Sequence, residues 1–105
     1  MTTPFERRQE HSPEGPRVTL AGEIDWSNAA GALGAPEGVA AGAVVELDLR
    51  AVTYFDSAAL GGLFRLDSDM RRAGATLRVL IDAQTALPAL FEISQVARVM
   101  EVVVS

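Results

Sequence analysis

Between Ala43 and Ile81 the chain changes its apolar period twice, and this constrains the fold more than any other feature. In AVVELDL, Ala43 to Leu49, the residues Val45, Leu47 and Leu49 alternate with Val44, Glu46 and Asp48, the period of a strand. From Ser57 the period becomes helical. Ala59, Leu60, Leu63, Phe64, Leu66, Met70 and Ala73 share one broad arc, with Arg65, Ser68, Asp69 and Arg72 opposite. Asp67–Arg71 and Arg65–Asp69 have the i,i+4 spacing of helical ion pairs, and Gly74 stands where helices commonly end. Period two returns from Thr76 to Ile81, with Leu77, Val79 and Ile81 on one face and Leu80 on the other. Strand, helix and strand in that order imply a right-handed crossover and parallel pairing.

The flanking segments extend this plan. Phe5 to Gln9 reads as a short edge strand, and Ser12-Pro13-Glu14-Gly15 as a type I turn. The turn sends the chain back antiparallel into a strand from Arg17 to Glu23, where Val18, Leu20 and Gly22 alternate with Arg17, Thr19, Ala21 and Glu23. Asp25 and Ser27 are capable N-caps, but the following NAAGALGAPEGVAAG is a poor helix former. Gly31, Gly34 and Gly38 each cost roughly 1 kcal/mol against alanine, and Pro36 stops propagation. A short helix and then a loop are expected there. Arg50 to Tyr54 carries the chain on to the helix at Ser57. Gln84 to Ile93 reads as a helix with Pro88 in its first turn, burying Leu87, Leu90, Phe91 and Val96 nearby, and Val99 to Val104 as a last strand. The expected fold is a small α/β domain spanning residues 1–105, with 1–15 as edge strand and turn. Its sheet is mixed but mainly parallel, about four or five strands packed with about three helices.

Composition removes whole classes of chemistry. The formal charge is −5, so the surface is wrong for nucleic acid. All nine cations are arginine, which excludes a phosphate-loop lysine and a Schiff-base lysine. There is no cysteine, hence no disulfide, no thiolate nucleophile and no cysteine zinc site. The single histidine, His11, lies in a turn-rich segment and reads as a solvated loop side chain, so neither a catalytic triad nor a metal site is expected. No cofactor is implied. The N-terminal MTTPFERRQEHSPEG has no apolar core of the signal-peptide kind, and no apolar run reaches bilayer length. A cytoplasmic protein without membrane insertion is the expectation.

One seam carries the functional question. In VTYFDSAALGGLF, Val52 to Phe64, an acid and a hydroxyl, Asp56 and Ser57, stand where a strand pattern gives way to a helix. Ser57 there can cap the helix by accepting a free backbone N–H. As a nucleophile it needs a base and an oxyanion hole, but the histidine is badly placed and the G-x-S-x-G elbow is absent, so catalysis is disfavoured. As a phosphoacceptor it is well placed, because helix dipole and free amides favour an anion at that end. Trp26, just after Asp25, has two readings: a ring covering the loose first helix, which is the simpler, or an aromatic anchor for a partner.

Three pieces in order resemble the sulfate transporter and anti-sigma factor antagonist (STAS) domain, over essentially the whole stretch from Arg17 to Val104. LAGEID, Leu20 to Asp25, is similar to the family's G-E-[IL]-D. VELDLRAVTYFDSAALGGLFRL, Val45 to Leu66, is similar to its strand, loop and D-S-[ST]-G-L helix start. RRAGATLRV, Arg71 to Val79, is similar to its helix end and next strand. Ala58 and Ala59 depart from the family's second hydroxyl and its glycine, and Gln95 stands where members often have the glycine that ends the third helix.

In stand-alone members of this family the serine after the aspartate is phosphorylated by a partner serine kinase that is also the anti-sigma factor. The resemblance therefore implies a non-enzymatic partner switch with Ser57 as phosphoacceptor. Asp25, Trp26, Asp56, Ser57, Ala58 and Gly61 would form the partner-binding face. The D-S-A form is also similar to STAS-like subunits of phospholipid-transport ATPases, where the seam contacts the ATPase and receives no phosphate. Both readings stand at this point: a phosphorylated partner switch, or a constitutive structural and regulatory subunit of such an ATPase or of a larger signalling complex.

Overall fold

The computed structural model describes residues 3–105, so the first two residues of the expected N-terminal segment lie outside the described residues. The elements run β1 (Phe5–Ser12), β2 (Gly15–Ile24), α1 (Ala29–Ala32), β3 (Val44–Phe55), α2 (Ser57–Arg72), β4 (Thr76–Ile81), α3 (Leu87–Ile93), a 3₁₀ turn (Val96–Arg98) and β5 (Glu101–Val104). They build one five-stranded sheet in sequential order, β1 antiparallel to β2 and all later neighbours parallel. The fold class read from the sequence is the one observed.

Sequential parallel strands joined by crossovers of one hand place the helices on a common face. Val18 and Leu20 of β2, Val45, Leu47 and Leu49 of β3, and Leu77, Val79 and Ile81 of β4 point there and are buried. Phe55 meets Phe91 of α3 edge to face, with ring centroids 6.1 Å apart. The opposite face carries ion pairs between neighbouring strands, within β3 and to the β1–β2 turn. Arg17 meets Glu46 and Asp48 at 3.2 and 3.3 Å, and Arg50 meets Asp48 at 2.8 Å. Arg78 meets Glu101 at 2.7 Å and Glu14 at 3.3 Å. Burial pushes the Asp48 carboxyl up, but the hydrogen bonds and charge of Arg50, with the charge of Arg17, more than offset it. Its pKa lies below the ordinary carboxylate value.

Several boundaries differ from the sequence reading, each for a local reason. β3 does not stop at Leu49 but runs through Arg50–Tyr54 to Phe55. Its register against β2 slips between Thr19 and Ala21, and again between Gly22 and Glu23. Each slip adds one residue to β3, so its inward residues are spaced by two up to Leu49 and then by three, at Val52 and Phe55. A strict period-two pattern cannot see that continuation. β1 extends to Ser12, so His11 is an exposed strand residue rather than a loop one. α3 begins at Leu87 rather than Gln84, because Asp82 folds the preceding residues into a turn. Its Oδ1 accepts the Gln84 amide at 2.8 Å and its carbonyl accepts the Thr85 hydroxyl at 2.8 Å. β5 begins at Glu101 rather than Val99, since the 3₁₀ turn occupies the approach and Arg71 donates to the Val99 carbonyl.

α2 keeps the bounds that its pattern predicts. Gly74, at φ +78, closes it, with the Gly74 amide on the Arg71 carbonyl at 3.0 Å and the Ala75 amide on the Met70 carbonyl at 2.9 Å. Asp67 pairs with Arg71 at 3.0 Å as expected. Arg65–Asp69 does not form; Asp69 lies 3.7 Å from Arg72 instead. Ala73 is exposed at the C-cap rather than inward. α1 is a single turn, as its glycines and Pro36 dictate. Its end is held from outside: Arg7 of β1 donates to the carbonyls of Ala32 and Gly34 at 2.8 and 3.0 Å. Among the described residues no helix is long and apolar enough to cross a membrane.

Candidate functional site

The C-terminal ends of β2 and β3 lie side by side, with Ile24 paired to Phe55. This brings the residues after each strand together. The turn after β2 carries Asp25, Trp26 and Ser27; the residues after β3 are Asp56 and Ser57 at the start of α2.

Asp56 is the N-cap of α2, not Ser57. In extended conformation it accepts the Ala59 amide through Oδ1 at 2.9 Å. The reason is positional. A cap must sit before the first helical residue, and Ser57 is already that residue. Ser57 is therefore exposed, and no hydrogen bond among the described residues engages its hydroxyl. Ala58 and Gly61 are exposed beside it, and a Cβ added at Gly61 would meet nothing within 4 Å.

Asp56 also reaches the other turn: its Oδ2 accepts the Trp26 amide at 3.0 Å. The Trp26 ring is 78% exposed, so it does not cover α1. Phe5 of β1 is the side chain that approaches α1 there, lying 4.0 Å from a Cβ placed at Gly31. Tyr54, the next-to-last residue of β3, is half exposed at the same end of the sheet.

Asp25 does not cap α1. Its Oδ1 accepts the Ser27 amide at 2.9 Å and the Ser27 hydroxyl at 2.6 Å, and its Oδ2 accepts the Thr3 hydroxyl at 2.5 Å. These hydrogen bonds, Ser27 first and Thr3 next, hold its carboxyl below the ordinary value. Its charge is present at this surface, and both of its oxygens are engaged in organising the turn.

The residue that sequence reasoning missed is Asn28, only 4% exposed. It stands at the N-cap position of α1 but turns its amide away from the helix. Its Oδ1 accepts the Asp25 amide at 2.9 Å, and its Nδ2 donates to the carbonyls of Glu23 and Thr3 at 2.8 and 2.9 Å. A buried asparagine that satisfies three backbone groups fixes the turn from beneath. The available signal was weak: an asparagine after D-W-S suits a turn, but many surface turns carry one.

The geometry thus gathers all six residues of the proposed face: Asp25 and Trp26 on one turn, Asp56, Ser57, Ala58 and Gly61 at the start of α2. It offers an exposed hydroxyl, an exposed indole and two carboxylates held by backbone amides. Among the described residues no group of three or more His, Asp or Glu side chains is arranged to hold a metal ion.

Comparison with known proteins gives the same frame. A solved anti-sigma factor antagonist from Mycobacterium paratuberculosis superposes with a TM-score of 0.75 at 18% identity, over 97% of this chain and 89% of that one. An anti-sigma factor antagonist STAS domain from Rhodobacter sphaeroides superposes with a TM-score of 0.59 at 20% identity, over 71% of this chain and 84% of that one. No curated protein matches in sequence. The family model described as "Mlab, STAS domain" matches residues 8–104. That span contains the whole sheet from mid-β1 onward and every residue of the seam, and the chain belongs to the STAS domain family.

Proposed function

We propose that this protein is an anti-sigma factor antagonist-like interaction switch. It docks through the start of α2 on an anti-sigma factor that is also a serine kinase, and phosphate on Ser57 ends the complex. The observation that carries the reading is the exposed Ser57 hydroxyl at the first residue of α2, free of any hydrogen bond among the described residues. Around it lie the small neutral Ala58 and Gly61, which a partner surface can approach closely, and the exposed Trp26, a residue type enriched in binding hot spots. The description of two solved structures of this fold as anti-sigma factor antagonists agrees in kind.

In the modification step the γ-phosphoryl group of ATP passes to Ser57 Oγ, the bond to ADP breaks, and the hydroxyl proton goes to a base of the kinase. The chain receives the group and catalyses nothing itself. The phosphate adds roughly −1.5 to −2 charge beside Asp56. No basic residue occurs between Val18 and Leu49 or between Ala51 and Phe64, so the segments that build the face offer it no counter-charge. Burying that group under a partner costs desolvation and repulsion, and each 1.4 kcal/mol lost is about tenfold in affinity. Such a switch acts in the cytoplasm.

Incubation with the cognate kinase and ATP, followed by mass spectrometry, is the direct test. Modification at Ser57 alone is expected; modification elsewhere, or none despite stable binding, sinks the switch. Ser57→Ala keeps binding and loses regulation, whereas Ser57→Asp weakens binding. A second reading has its own support in Ala58 and in the description of the matching family model. In it the chain is a constitutive structural and regulatory subunit of a phospholipid-transport ATPase. Co-purification with an ATPase, with Ser57 unmodified, is its signature.

A further inference from the structure

Asp56 stands between the two things such a switch has to connect. One carboxylate oxygen holds the Ala59 amide and caps α2; the other holds the Trp26 amide and fixes the turn that carries the exposed indole. The remaining side-chain anchors of that turn do not pass through α2. Asp25 takes Ser27 and Thr3, while Asn28 takes Asp25, Glu23 and Thr3. Among the described residues, Asp56 is thus the one side chain whose hydrogen bonds join the helix start to the tryptophan turn.

A phosphate on Ser57 is attached to the next residue, so the two anions cannot avoid each other. The phosphate has its own donors in the amides of Ser57 and Ala58, which as first-turn groups lack an intrahelical acceptor. Two anions at one helix start disfavour each other, and the short Asp56 side chain relieves this by rotating away. The helix then remains capped by phosphate, but the Trp26 amide loses its acceptor.

We propose that Asp56 is a positioning residue that couples the charge on Ser57 to Trp26: phosphate on Ser57 frees the Trp26 amide and with it the backbone that carries the indole, while the Asp25 and Asn28 anchors of the turn stay in place. The docking face then loses its pre-organised aromatic anchor as well as gaining a charge, and both effects disfavour the complex. This rests on the reading of Ser57 as the switch, but not on which protein writes the phosphate.

The test removes the kinase by placing phosphoserine at position 57 during translation of the full chain. Amide hydrogen exchange at Trp26 is compared in wild type, the phosphoserine form, Asp56→Asn, and the phosphoserine form carrying Asp56→Asn. Asparagine caps a helix as well as aspartate does, but it has one acceptor oxygen and no charge. It keeps the cap and gives up the hold on Trp26. Phosphoserine is expected to raise Trp26 exchange about tenfold, the scale of one lost hydrogen bond. Asp56→Asn is expected to raise it similarly, with no further increase when phosphoserine is added. Unchanged Trp26 exchange in the phosphoserine form overturns the coupling. So does a full additional tenfold in the Asp56→Asn background, or a rise at Trp26 matched at the core amides of Leu63 and Val79. A cognate kinase that modifies some other residue overturns the switch but leaves these four measurements, and the coupling they report, in place.

Discussion

Gly61 and Gly62 are adjacent in α2, yet the same substitution at each has opposite consequences. A methyl group added at Gly61 meets nothing within 4 Å. Gly61→Ala therefore gains only the helix-propensity difference, about 1 kcal/mol. A methyl group at Gly62 falls 3.0 Å from Leu33 Cδ1, 3.5 Å from Leu33 Cβ and 3.9 Å from Ala29 Cβ. Leu33 is only 4% exposed, so to make room it has to shift within a buried environment. Overpacking of that kind costs about 1–3 kcal/mol, which cancels or exceeds the propensity gain. The two variants should then differ by about 1–3 kcal/mol in urea unfolding. Gly61→Ala should melt some 4–8 °C above wild type, and Gly62→Ala at or below it. Equal stabilisation by both would show that the α1–α2 contact does not constrain Gly62, and the packing argument would be wrong. The pair also separates stability from function. Gly61→Ala puts its methyl on the proposed docking face, so a more stable protein should bind its partner less tightly.

Three further outcomes follow from single residues. Gln95 is the one non-glycine residue at positive φ among the described residues, at φ 57 and ψ 35, so Gln95→Gly should stabilise by about 1 kcal/mol in denaturant titration. Asp48 has a depressed pKa, so the stability it confers is present above its unfolded value of about 3.9 and is lost as pH falls through the lower folded value; the deficit of Asp48→Asn, about 1–2 kcal/mol at neutral pH, should shrink in acid melts over that window. Asp67 has the opposite sign, because burial raises its pKa against the opposing charge of Arg71. Its carboxylate costs stability as pH rises from about 3.9 through the folded value, so Asp67→Asn should gain on wild type over that rise, and a gap independent of pH would refute the burial argument.

The sequence by itself determined the layer plan. Period two at Ala43–Leu49, helical period from Ser57 and period two again at Thr76–Ile81 leave little choice but a parallel β3–α2–β4 unit, and α2 and β4 have the bounds that their patterns predict. It also marked the Asp56–Ser57 seam, since an acid and a hydroxyl at a strand-to-helix junction are visible without coordinates. Tertiary structure decided what pattern cannot encode. The two register slips against β2 carry β3 on to Phe55, and they exist only in the pairing of two strands. The division of labour at the seam is decided the same way. Asp56 caps because the helix begins one residue later, and its second oxygen finds Trp26 only because β2 and β3 end together. The exposure of the indole is likewise seen only in the folded chain. Asp25 and Asn28 show the general reason through Thr3, whose hydroxyl donates to Asp25 and whose carbonyl accepts from Asn28, each more than twenty residues away. Such partners lie wherever the fold brings donor and acceptor within about 3 Å, a property of distance in space rather than along the chain.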